Sequence, residues 1–157
     1  MTRRTGYQAP AFQARGFTLI ESLVAMVVIS VGMLGIAALY VEGLRAGRTS
    51  IYRNVAIDLA SDMADRIRGN PTARASYNGA GPGANNNCVN GANNCTAAAL
   101  AADDSFWWNR SVQSLLPGGT ASVAVVAAVN NAAYTITVTW TEPGVPAPLN
   151  YVLSVQL

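Results

Sequence analysis

Apolar positions along the chain follow different rules on either side of Val41. From Ser22 to Val41, twenty residues pass without a charge. At about 1.5 Å per residue, a helix of that length crosses a hydrocarbon core of roughly 30 Å. Beyond it the pattern turns amphipathic. Ile51, Val55, Leu59, Met63 and Ile67 recur every four residues, with Ala56, Ala60 and Ala64 filling the same side. Arg53, Asp58, Asp62, Asp65, Arg66 and Arg68 occupy other positions, and Asp62 precedes Arg66 by four, the favourable order for a helical ion pair. Together the two stretches predict one helix from about Phe17 to Arg68, ~78 Å long. Gly69-Asn70-Pro71 supplies its stop. Gly32, Gly35, Gly43 and Gly47 weaken it by about 1 kcal/mol each relative to alanine. They read either as close helix packing or as places where the helix unwinds when stretched.

Periodicity vanishes between Pro71 and Thr96, where glycines and a run of asparagines predict a loop. Asp103, Asp104 and Ser105 are then placed to cap a short helix carrying Phe106, Trp107, Val112, Leu115 and Leu116, stopped by Pro117-Gly118-Gly119. Its aromatics read as core, or as an exposed adhesive patch. Ala121 to Val129 is a β-branched run, and Asn130-Asn131 signals a turn. Tyr134 to Trp140 alternates strictly, which puts Tyr134, Ile136, Val138 and Trp140 on one face. Three prolines break the chain before a last alternating strand, Leu149 to Leu157. The expected fold class is α+β: a long N-terminal helix packed on a small antiparallel sheet, each covering the other's apolar face.

Composition narrows the chemistry. Net charge is +2, from 10 basic residues, all arginine, and 8 acidic ones. No basic patch of the nucleic-acid-binding kind stands out. Histidine and lysine are missing, and so are a GxSxG elbow and a phosphate-cradling glycine loop. An enzyme is not expected, and neither is a cofactor. Cys88 and Cys95 are too far apart for a redox CxxC pair and, without histidine, make a poor zinc site. A disulfide is the better reading if this region is exported; it would contribute roughly 2.5 kcal/mol by the chain-entropy relation. Calcium in the asparagine-rich loop is disfavoured because that loop has no acidic residue.

One residue does not suit a plain membrane segment. Glu21 sits at the edge of the apolar run, where a carboxylate costs at least a few kcal/mol unless it finds a partner. Arg3, Arg4 and Arg15 precede the run, which favours a cytoplasmic N-terminus. A plain signal anchor remains the simple alternative; a secretory signal peptide fits less well, for want of an A-x-A site. If the chain is cut after Gly16, Phe17 presents a new amine four residues from Glu21, and a neighbouring subunit's amine can neutralise the acid.

Arg15-Gly16-Phe17-Thr18-Leu19-Ile20-Glu21 resembles the type III signal of type IV prepilins and type II secretion pseudopilins. The resemblance implies a cytoplasmic leader, Met1–Gly16, removed by prepilin peptidase, N-methylation of Phe17, and a role for Glu21 in subunit docking. It further implies a membrane half at 17–41, an amphipathic half at 42–70 and a globular domain at 71–157. The block AIDLASDMADRIRGNP, from Ala56 to Pro71, and the LLPGG stretch leading to the YTITVTW hairpin are similar to PilV-type minor pilins. That family implies an inner-membrane, single-pass protein with its domain in the periplasm, which joins the surface pilus and helps prime and export it. Its partners would be other minor pilins, the major pilin, the prepilin peptidase/methyltransferase, the assembly platform and membrane lipid. A minor pseudopilin of a type II secretion system is the alternative. Asp62, Asp65, Arg66 and Arg68 read as a solvated, self-paired face, or as contacts to other minor pilins.

Overall fold

A computed structural model of the chain describes residues 16–89, 93–127 and 132–156. Helix α1 spans Leu19–Gly69. It meets no proline, and its four internal glycines do not break it. A Cβ built on Gly32, Gly35, Gly43 or Gly47 meets nothing within 4 Å, so packing within the chain does not require glycine there.

The second half of α1 buries Ala56, Leu59, Ala60, Met63, Ala64 and Ile67. Ile51, expected on this face, is instead 62% exposed. Steps of four residues advance about 40° round a helix, so the row drifts by about 160° between Ile67 and Ile51. The mixed spacing of three and four holds the stripe, and Tyr52 and Val55 are its half-buried continuation. Gly69 ends α1 without a left-handed conformation, contrary to the glycine cap expected there. The turn is closed by Asn70 N–H donating to the Ile67 carbonyl and Ala73 N–H to the Asn70 carbonyl.

The predicted loop after Pro71 is more ordered than its sequence suggests. Residues Arg74–Tyr77 form a 3₁₀ turn. Gly79 then exchanges two backbone hydrogen bonds with Val123, at 2.8 and 2.9 Å. Ala73 and Tyr77 are the segment's buried apolar residues among those described, and the rest is held by backbone hydrogen bonds, which leave no periodic trace.

Helix α2 spans Ala97–Leu115 and begins earlier than expected. Thr96 caps it, its Oγ1 accepting from Ala99 N–H at 3.2 Å. Asp103, Asp104 and Ser105 therefore lie inside the helix. Three alanines following a capping threonine are strong enough helix formers to start it there.

Strands β1 (Thr120–Ala127), β2 (Ala132–Trp140) and β3 (Leu149–Gln156) form an antiparallel sheet in that order. Val123 pairs with Ile136, which pairs with Leu153. Tyr134, Ile136, Val138 and Trp140 point into the core, as the alternation predicts. They meet the stripe of α1 together with Trp108 and Val112 of α2. The α+β architecture, with a long N-terminal helix and a three-stranded antiparallel sheet, is that of a type IV pilin fold. Val129, the Asn130-Asn131 turn and Leu157 lie outside the described residues.

Two compact units divide between Leu44 and Arg45. In the first, every described side chain from Gly16 to Leu44 is exposed. The second contains the whole core.

Candidate functional site

Gly16, Phe17 and Thr18 lead into α1. Backbone N–H groups of Glu21 and Ser22 donate to the Thr18 carbonyl at 3.1 and 3.3 Å, which forms the first turn. Glu21 falls in that turn, where the unpaired N–H groups of a helix favour negative charge. Phe17 is 83% exposed. The Glu21 side chain borders an open apolar strip of Ile20, Val24, Ala25, Val28 and Ile29. Among the described residues its carboxylate has neither an ion-pair nor a hydrogen-bond partner. By contrast, the nearby hydroxyl of Ser30 is satisfied within the helix, donating to the Met26 carbonyl at 2.7 Å. An acid alone on an apolar surface is costly once water is withdrawn, unless a cation meets it. Residues 1–15, the rest of the expected leader, lie outside the described residues.

The domain unit places the other sequence-predicted residues. Cys88 and Cys95 are joined by a disulfide. Arg68 pairs with Asp65 at 2.6 Å on the exposed face of α1. Arg66 pairs with Asp62 at 3.0 Å, as spaced, and also reaches Asp104 of α2 at 3.1 Å. That charged face is therefore only partly a solvated, self-paired one.

Asp104, assigned to a helix cap, is a buried joint. Its second oxygen accepts from the Tyr77 hydroxyl at 2.8 Å, and Asn70 donates to Tyr77 Oη and to the Ala97 carbonyl. The Tyr77 hydroxyl is pushed well above its ordinary value by burial and by its bond to Asp104, against the opposing effects of Asn70 and Arg66. A second joint ties α1 to the end of β2. The Glu142 carboxylate accepts from Thr49 Oγ1 at 2.5 Å and from Trp140 Nε1 at 2.8 Å. Burial pulls Glu142 upward, but these two bonds and the charges of Arg53 and Arg48 outweigh it, and it sits below the ordinary carboxylate value. Neither joint was found from the sequence. The sequence signal is a pair of acids, Asp103 and Asp104, inside an alanine-rich helical run.

Among the described residues no three His, Cys, Asp or Glu side chains converge on a possible metal position. What the chain presents is an exposed apolar helix, long enough to cross a membrane, with one acid near its start.

Two family models match adjoining parts of the chain. A model of the prokaryotic N-terminal methylation motif matches residues 12–37, and one described as Type IV pilin Tt1218 matches residues 38–106. Together they support a type IV pilin. Type IV pilins are structural filament proteins, and the methylation motif implies processing by prepilin peptidase and assembly with other pilins. The apolar helix and this signal fit a membrane-anchored pilin. No curated protein and no solved structure matches the chain.

Proposed function

We propose that this chain is a minor pilin of a type IV pilus, of the PilV type, that helps to prime, assemble and export the filament. Met1–Gly16 is the leader, cut at Gly16–Phe17 by prepilin peptidase, and the Phe17 amine is then methylated. Residues 17–41 hold the protein in the inner membrane, while 42–70 continue the helix and 71–157 complete the domain in the periplasm. Glu21 pairs with a neighbouring subunit's methylated amine, and exposed apolar side chains of α1 pack on other pilins in the priming complex.

The observation that carries this reading is the methylation-motif match across residues 12–37, which contains the cleavage bond, the amine and Glu21. The unpartnered carboxylate in an exposed apolar helix supports it, because assembly supplies what Glu21 lacks. The similarity of residues 56–71 and of the LLPGG hairpin to PilV-type pilins supports the minor role.

Mass spectrometry of the N-terminal peptide, from sheared surface pili and from membranes, tests it. A peptide starting at methylated Phe17 in both fractions is expected. The same peptide confined to membranes would favour the pseudopilin. An unprocessed Met1 leader in both would make the chain a plain membrane anchor.

A further inference from the structure

Pro82, Phe106, Asn109, Arg110 and Gln113 line a cavity of about 240 Å³ in the domain unit. Sites for drug-sized ligands begin at roughly 300 Å³, so this one holds a single ring or side chain. The wall that carries Pro82 is fixed. The segment that carries Pro82 is fastened to α2 by Ala84 N–H donating to the Ala102 carbonyl at 3.0 Å and by Asn109 Nδ2 donating to the Gly81 carbonyl at 3.0 Å.

Asn109 is the informative residue. It is 7% exposed, and its Nδ2 donates to two carbonyls, Gly81 and Ser105, which leaves one assignment for the amide. Its Oδ1 takes no hydrogen bond from a described residue, yet it is not sealed from solvent. Asn109, which lines the cavity, therefore holds an acceptor without a donor among the described residues.

Arg110 supplies the opposite requirement. It is exposed, and no carboxylate among the described residues lies within ion-pair distance of it. The acids on its own helix lie elsewhere: Asp104 binds Tyr77 and Arg66, while Asp103 accepts from the Asn86 backbone N–H through Oδ1, its Oδ2 buried without a hydrogen-bond partner. An open guanidinium fork suits a carboxylate bound through two parallel bonds. Gln113 adds an exposed amide, and Phe106 and Pro82 give apolar walls.

Sulfate would satisfy Arg110 and set bare oxygens against Asn109 Oδ1, and phosphate, which keeps a hydroxyl near neutral pH, has no apolar face for Phe106 and Pro82. An acidic side chain would bring a carboxylate on a flexible stem, with no hydroxyl donor and no ring to lie on Phe106. We propose that this cavity binds a sugar acid, with its carboxylate on Arg110, a ring hydroxyl donating to Asn109 Oδ1, and the C–H face of the ring on Phe106.

The test is saturation-transfer NMR on the full chain in detergent micelles, with D-glucuronate, D-glucose, inorganic phosphate and N-acetylglutamate as probes. Saturable glucuronate binding near about 1 mM is expected, with the other three at least roughly tenfold weaker. R110Q should weaken glucuronate about ten- to a hundredfold, the range of a charge-assisted hydrogen bond. Gln113→Ala should weaken it roughly two- to tenfold, and R68Q should leave it unchanged. Near-ultraviolet circular dichroism of the tryptophans verifies that each variant is folded; should R110Q fail, Gln113→Ala alone decides. Absence of saturable glucuronate binding overturns the proposal, and so does unchanged binding in folded variants. N-acetylglutamate binding as tightly as glucuronate overturns it in favour of an acidic side chain.

Discussion

The Trp108 indole donates its Nε1–H to the Leu59 carbonyl at 2.8 Å, across 49 residues of sequence. That carbonyl belongs to the interior of α1, so the contact fastens α2 to the buried stripe at its middle. Trp108→Phe removes the donor and part of the ring; about 1–3 kcal/mol of stability should be lost. Trp108→Ala also leaves a cavity and should lose about 3–5 kcal/mol. Denaturant unfolding of the full chain in micelles measures both.

The two acids paired to neighbouring arginines should behave differently. Asp65 and Arg68 are both largely exposed, and Asp65→Asn should change stability by less than about 0.5 kcal/mol. Asp104 is buried and serves both Arg66 and Tyr77. Asp104→Asn should lose about 1–3 kcal/mol. Equal effects in the same unfolding assay would remove the joint from the account of the fold.

Glu142 and Tyr77 set opposite ends of the pH profile. Glu142 titrates below its ordinary value of 4.5 when folded, so its stabilisation is present above that pH and is lost as pH falls through the folded value. Glu142→Gln should flatten the stability profile below pH 4.5. Tyr77 is raised above 10.0, so its contribution is complete below that pH and is lost as pH climbs through the folded value. Phenolate absorbance should show a tyrosine still protonated well above pH 10.0, a signal absent from Tyr77→Phe.

Gly83 adopts a φ of +70°, and a Cβ there would strike the Ala102 carbonyl and the Phe106 backbone nitrogen. Both atoms belong to α2 and neither can yield. Gly83→Ala should cost upwards of about 2 kcal/mol, from strain and overlap together. Gly81→Ala, with open space and no positive φ, is the control.

Glu21→Ala should still insert into the membrane and lose its leader, yet fail to support normal piliation. Immunoblots for processing, beside counts of surface pili, separate these steps. Wild-type pilus numbers would remove the role given to Glu21.

The long helix, the strand faces and the α+β class were legible because each rests on a repeat: no charge from Ser22 to Val41, then periods of 3.6 and 2. The start of α2 is hidden because Asp103, Asp104 and Ser105 suit a cap, yet Thr96 and the alanines after it start the helix seven residues earlier. Polar joints stayed hidden for another reason. Thr49 and Glu142 are 93 residues apart, and no local pattern marks two polar residues that meet only after folding. The methylation signal was plain in seven consecutive residues, but the Asn109–Arg110 cavity needs Pro82 brought beside α2.

Exposure of every described side chain from Gly16 to Leu44 carries one more consequence. Substitutions there that preserve greasiness and helix propensity leave the chain's own folding untouched, whereas comparable swaps at Met63 or Ile136 do not. A saturation library sorted first for soluble-domain integrity and then for surface filaments should therefore divide near residue 45. Failures upstream would pass the first sort and fall at the second. The grammar of the first stretch is written for its neighbours, and that of the second for itself.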